Sequence, residues 1–193
     1  MVVTIGRSYG AGGRTVGRLV AEKLGIPYYD SELLEIAAKN SGLSRKYLTA
    51  HDETAVDSAM LYRSVGLGEA GYASTQAMAE KAQREVIEQV AQSPCVIVGR
   101  KADQILSGRK KLLSVFIASS WENRKERLMA RENLSAQDAE KLMRKADKQR
   151  ATYYNLTSSA AWGAAETYDF CLNIDRLGAD KAAEEIVAMA KAL

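Results

Sequence analysis

The chain has 193 residues, 47% of them apolar and 26% charged, a balance that suits one globular domain with a sizeable core and excludes a disordered, collagen-like or low-complexity protein. Its net charge of +3 is too small to argue for nucleic acid, and no apolar run approaches membrane length. Two cysteines far apart and one histidine supply neither a disulfide framework nor a zinc set, so Cys95 and Cys171 are expected to be reduced, buried thiols in a cytoplasmic protein.

In chain order, Val2-Val3-Thr4-Ile5 reads as a buried strand, with no resemblance to a secretion signal. A glycine-rich turn follows. Residues 15–24 then carry helical spacing at Val16, Leu19, Val20 and Leu24. Gly25-Ile26-Pro27 breaks the helix, and Tyr28-Tyr29 forms a very short strand ending in Asp30. Ser31 can cap a helix reaching about Lys39, closed by Asn40-Ser41-Gly42. Residues 43–70 have weak periodicity and a turn at Gly66-Leu67-Gly68, as expected of an insertion at one sheet edge.

A long helix is expected over 74–92, then the clearest strand of the chain, Cys95-Val96-Ile97-Val98, stopping at Gly99-Arg100. A short helix leads to a strand over 112–117. Residues 119–155 are helical and rich in both charges, with a break near Asn133-Leu134-Ser135, where Ser135 and Asp138 have the spacing of a capping box. A strand over 170–174 and a helix over 179–193 complete the chain. Strands alternating with helices imply an α/β fold with a five-stranded parallel sheet covered on both faces.

In such a sheet, ligands bind beyond the carboxyl ends of the strands. The loop from Arg7 to Thr15 places Gly10, Gly12 and Gly13 before a helix start, where converging N–H groups and the helix dipole attract anions. The pattern G-x-x-x-x-G-K-[ST] fails there: Ser8 takes the first glycine's place, and Arg14 follows Gly13 where lysine would stand. Asp30 could accept hydrogen bonds from a sugar hydroxyl or a base amine. Arg100 could grip a phosphate bidentately. Among the charges of 124–154, two or three arginines could close over a polyphosphate. Without a ligand, the same features read as a strand-to-helix turn, a helix cap, a solvated arginine and a solvated helix face. The twenty residues from Gly10 to Asp30 also leave open a dinucleotide-binding oxidoreductase, although Thr15 stands where that fingerprint needs glycine.

Taken together, Tyr9-Gly10-Ala11-Gly12-Gly13-Arg14, Tyr28-Tyr29-Asp30, Val96-Ile97-Val98-Gly99-Arg100 and Asp147-x-x-Arg150 before Tyr153-Tyr154 resemble the cytidylate kinase-like group of P-loop nucleoside monophosphate kinases, over essentially the whole chain. The resemblance implies a three-layer P-loop fold forming a single domain over 1–193. It further implies an acceptor-binding insertion at about 43–75 and an arginine-rich lid at about 120–156. The reaction it implies is transfer of the γ-phosphoryl of ATP, with Mg²⁺, to CMP, dCMP or another small acceptor.

Ser8, Tyr9, Gly10, Ala11, Gly12, Gly13, Arg14 and Thr15 would hold the donor phosphates. Asp30, Arg100, Asp103 and Asp147 would serve the acceptor, and Arg14, Arg144 and Arg150 the transfer. No residue is expected to bind a metal directly. Two departures stand out. An ungapped comparison puts Gly13 where a cytidylate kinase has its phosphate-binding lysine, so Arg14, with a lid arginine such as Arg150, is expected to replace it. Lys101 stands where cytidylate kinases proper carry aspartate, with Asp103 two residues on. A nucleotide-binding protein without phosphoryl transfer is the competing expectation. Small nucleotides are the expected partners, with neither nucleic acid nor membrane, and residues 55–75 offer a surface for a homodimer.

Overall fold

The computed structural model describes residues 1–53, 70–156 and 158–193, with backbone alone over 70–76. Its centre is a five-stranded sheet in the order β2-β3-β1-β4-β5, with every pair parallel. The strands are β1 (Val2–Arg7), β2 (Tyr28–Tyr29), β3 (Cys95–Val98), β4 (Leu112–Ala118) and β5 (Phe170–Asn173). Val3, Val96, Ile97, Val98, Val115 and Ile117 are fully buried, because helices cover both faces and a central parallel strand has no wet side.

One face carries α1 (Gly13–Leu24) and α8 (Ile174–Ala192), packed on Val3, Ile5, Val98 and Ile117 through Val16, Val20, Ala183 and Ile186. The other carries α2 (Glu32–Ser41), α3 (Arg45–Ala50), α4 (Ala70–Val90) and the short α5 (Ala102–Ile105), which bury Leu33, Leu48, Val86 and Ile87 against Val2, Cys95 and Ile97. A third cluster, Leu128, Ala139 and Met143, joins α6 (Trp121–Glu132) to α7 (Ala136–Leu156) as a hairpin at the carboxyl end of the sheet. This is the three-layer arrangement the alternating pattern implies.

Several local expectations need correction. The helix expected over 74–92 runs from Ala70 to Val90. Ser31 sits at the start of α2, but its side chain accepts no capping bond. Ser135 Oγ does accept from the Asp138 N–H at 3.1 Å, whereas the Asp138 carboxylate turns back to that hydroxyl at 2.6 Å. Gly178 (φ +72°, ψ 169°) interrupts α8, so regular helix resumes at residue 179. Cys95 is buried as expected, but Cys171 is exposed, because β5 is the sheet edge and alternate side chains there face outward. The turn at Gly66-Leu67-Gly68, and most of the 55–75 surface, lie outside the described residues.

Candidate active site

Between β1 and α1 the chain turns twice in the left-handed region, at Gly10 (φ +78°) and Gly12 (φ +84°), where a side chain would add strain. Gly12 caps α1 without a side chain. Among the described residues, the N–H groups of Gly12, Gly13, Arg14 and Thr15 meet no acceptor. These first-turn donors and the helix dipole make the loop an anion cradle. Gly13 is required for a different reason: a Cβ there would stand 2.7 Å from Arg7 Cβ.

The α6–α7 hairpin clasps this loop by its backbone. Arg124 Nη1 donates to the Tyr9 carbonyl at 3.2 Å and to Asp147 Oδ2, and Arg127 Nη1 donates to the Gly10 carbonyl. The Tyr9 N–H donates to Asp147 Oδ1 at 2.7 Å, and the Arg150 guanidinium lies 5.3 Å over the Tyr9 ring. Asp147, expected to serve the acceptor, thus fixes the loop to the hairpin. Arg144 is on the outer side of α7, exposed and stacked 4.7 Å over Trp121. Trp121 packs against the Leu128 cluster.

Behind the loop, Arg7 at the end of β1 is buried, with Nη1 and Nη2 donating to Glu53 Oε1 and Oε2 at 2.6 and 3.1 Å. Arg150 Nε donates to the same Oε2 at 2.9 Å, and the Arg100 N–H to Oε1 at 2.9 Å. Burial alone would raise the Glu53 pKa, but Arg7, Arg150 and Arg100 hold it well below the carboxylate range. Beside this group, Asp30 Oδ2 pairs with Arg14 Nε at 2.6 Å. Arg100, only 3% exposed, donates to the Asp30 carbonyl at 2.8 Å and to Asp52 Oδ2 at 2.7 Å. Burial raises the Asp52 pKa, and Arg100 opposes it. Asp103 accepts from the Tyr154 hydroxyl in a recess below the Gly99–Lys101 turn.

Two cavities open here. The larger, about 810 Å³, is lined by the loop from Ser8, with Gly10, Gly12, Gly13, Arg14 and Thr15, and by Arg127 and Arg131; Ala11 lies buried beneath it. The smaller, about 340 Å³, is lined by Asp52, Glu53, Arg100, Lys145 and Gln149. Arg7, Tyr9, Arg14 and Arg150 line both. The structure therefore gathers Ser8–Thr15 and Arg150 around the first cavity, and Arg100 and Arg14 around the second. Asp30 is paired to both arginines, while Arg144 is outside either cavity. Sequence reasoning missed Asp52 and Glu53. Their signal was two adjacent acids directly after the chain's single histidine, His51.

The family model described as the cytidylate kinase-like family matches residues 2–176. A search of curated proteins finds no match. Among solved structures, an uncharacterized protein from Eubacterium ventriosum ATCC 27560 is 28% identical, with TM-score 0.76 over 100% of this chain and 99% of that one. Shikimate kinase from Bacteroides thetaiotaomicron is similar in fold at 15% identity and TM-score 0.57, over 99% of this chain and 98% of that one. Shikimate kinase from Acinetobacter baumannii, in complex with shikimate, gives 18% identity and TM-score 0.53, over 99% and 92%. The fold is that of the P-loop kinases.

Proposed function

The chain belongs to the cytidylate kinase-like family, and from that premise we propose that it is a phosphotransferase moving the γ-phosphoryl of ATP to a small acceptor, with a CMP- or dCMP-like monophosphate the first to test. The observation that carries this reading is the pair of cavities meeting at Arg7, Tyr9, Arg14 and Arg150. A donor in one and an acceptor in the other would meet where guanidinium groups converge. Phosphoryl transfer asks a protein mainly for such positioning and charge.

The residues fit a nucleotide's phosphates, because the N–H groups of Gly12–Thr15 meet no described acceptor and Arg14, Arg127 and Arg131 line the same cavity. ATP would supply the transferable group and Mg²⁺ would neutralise its oxygens. No cluster of three metal-ligating side chains occurs among the described residues, so the ion would be carried by the phosphates, with the Thr15 hydroxyl as an exposed protein oxygen. Arg14 and Arg150 would hold the transferring phosphoryl, and Arg144 would join them at the outer edge when the hairpin closes further. Asp30 and Arg100 would face the acceptor, while Asp103, bonded to Tyr154, and Asp147, bonded to Tyr9 and Arg124, would act on it only through those neighbours.

On this reading residues 1–193 are a single domain, with an acceptor-binding insertion at about 43–75 and a lid at about 120–156. A cytoplasmic enzyme of small nucleotides, without nucleic acid or membrane as partner, completes the reading. Among the described residues no helix is long and apolar enough to cross a membrane.

The second reading, nucleotide binding without transfer, draws on the ion pair that ties Arg14 to Asp30 in a loop with no lysine. A dinucleotide oxidoreductase is set aside, because β3 lies between β2 and β1, unlike the 3-2-1-4 order of a Rossmann half. Radiolabelled ATP transfer across all ribo- and deoxynucleoside monophosphates and small hydroxyl acceptors decides between the two. Label on one acceptor is expected; ATP binding with no label on any would leave the binding reading.

A further inference from the structure

Glu53 is held by more partners than its place in the chain suggests. It follows α3 in the left-handed region (φ +51°), an unfavourable setting for a glutamate. The turn after β3 is also left-handed at three successive residues, Gly99, Arg100 and Lys101 (φ +79°, +56° and +53°). This turn delivers the Arg100 N–H to Glu53. Gly99 is the floor of the group: a Cβ there would stand 2.1 Å from Arg7 Nη1 and 2.2 Å from Glu53 Oε1. Backbone strain in two segments and a missing side chain in one of them all serve a single carboxylate.

Arg7 lies at the end of β1 and Arg150 on the lid helix, and both face the junction of the cavities. Burial lowers the Arg150 pKa, and repulsion from the Arg7 guanidinium lowers it further. The Glu53 carboxylate bridges them. Arg7 gives it both Nη atoms, whereas Arg150 gives it only Nε; Arg150 Nη1 reaches the Arg7 carbonyl only at 3.5 Å, the limit of a hydrogen bond, and Nη2 meets no acceptor among the described residues. A planar guanidinium can hold a carboxylate along one edge and a phosphate along another.

We infer that Glu53 is the positioning residue of the phosphate site: it fixes Arg150 beside Arg7 so that the remaining edge of Arg150 meets a phosphoryl group where the cavities join. The inference rests on the phosphotransferase reading. It adds a link between the segment after α3, on the acceptor side, and the arginine of the lid.

The test measures binding of MgATP, and of inorganic pyrophosphate as a base-free probe, by calorimetry. Glu53→Gln keeps shape and removes charge, and should weaken both ligands about tenfold or more. Arg150→Ala should do the same, and the double variant should be no weaker than the worse single within about twofold, because the two residues act as one unit. A purely structural role for Glu53 would instead make the two losses multiply. Multiplying losses, or Glu53→Gln binding within about twofold of the parent, would overturn the inference alone. A parent chain that binds neither MgATP nor pyrophosphate would overturn the phosphotransferase reading and this inference together. Should Glu53→Gln fail to fold, Arg150→Lys, which keeps charge but has no second edge, should show the same loss; unchanged affinity there would also refute the idea.

Discussion

Replacing Gly13 by alanine tests whether the loop between β1 and α1 depends on a close approach to Arg7. Gly13 opens α1 with ordinary helical φ, so the backbone accepts alanine, and helix propensity favours it by up to about 1 kcal/mol. Opposing this, the new Cβ would stand 2.7 Å from Arg7 Cβ and 2.9 Å from Arg7 Cγ. The Cβ cannot swing aside, because Arg7 is the last residue of β1, in register with Ile117, and Cγ is held by the pairing of the guanidinium with Glu53. Two contacts under 3.0 Å place this overpacking in the upper part of the usual range, roughly 2–3 kcal/mol, which leaves a net loss of about 1–2 kcal/mol. For a chain of this size that lowers Tm by about 2–8 °C.

Gly25→Ala is the matched control. Gly25 has φ +63° and nothing within 4 Å of a built Cβ, so the cost is conformational, about 1–2 kcal/mol, with a similar fall in Tm. The two variants should part in calorimetric titration with MgATP. Gly13→Ala shifts Arg7 and the cradle and should weaken binding about tenfold; Gly25→Ala, at the far end of α1, should leave it unchanged. Equal weakening by both would show that the effect is global. No change in Tm or affinity for Gly13→Ala would refute the close-approach argument.

Arg14 and Arg144 separate exposure from placement. Arg14→Ala should cut phosphoryl transfer at least about tenfold with only a small fall in Tm, since its side chain is 60% exposed at the cavity and Asp30 keeps Arg100 at 3.4 Å; retention of activity within about twofold would remove it from the reaction. Arg144→Ala, outside both cavities, should lose less in kcat than Arg150→Ala; a larger loss would put the closing charge elsewhere on α7. Acid stability tests Glu53 independently. Its folded pKa lies below the ordinary value of 4.5, so the unfolded chain binds a proton that the folded one does not. The stabilisation is therefore full above about pH 5 and is lost as pH falls through 4.5 and below. The Tm of Glu53→Gln should fall less between pH 6 and pH 3.5 than that of the parent, and parallel curves would contradict the pairing. Thiol labelling at pH 8 should modify Cys171 quickly and Cys95 only on unfolding, because Cys95 is fully buried with its thiol pushed up to about 11. Rapid labelling of two thiols would show that β3 opens.

The sheet was legible because β1, β3 and β4 are apolar runs buried on both faces, and Gly25, Gly42 and Asn133 end helices in the left-handed region as such residues do. The loop was legible because its glycines and its helix start are adjacent in sequence. Glu53 was not, because its partners are 46 and 97 residues away and nothing local distinguishes it from a solvated acid. The choice between Arg144 and Arg150 turns on helix phase. Ala139, Met143, Tyr153 and Tyr154 are the buried residues of α7. Arg150 follows Met143 by two turns and shares its face, whereas Arg144, one residue on, is rotated about 100° toward solvent. That stripe was present in the sequence, but abundant charge on both sides obscured it.

The missing lysine can now be placed in a wider pattern of charge. A lysine is a single point charge: bound to an internal carboxylate, it would have little left for a phosphate. In this site Arg7, Arg14, Arg100, Arg124 and Arg150 are each paired with a carboxylate of the chain, namely Glu53, Asp30, Asp52 or Asp147. Those pairs fix the positions of β1, the loop, the turn after β3 and the α6–α7 hairpin relative to one another. Arginine allows this arrangement because its donors lie on more than one edge, so the group that sets the geometry can also meet the ligand. A site whose carboxylate-paired cations are all arginines thus exchanges the mobility of one lysine for a rigid lattice of shared carboxylates. Removing a carboxylate should then impair phosphate binding as much as removing the arginine it holds, a symmetry that a lysine-based loop would not show.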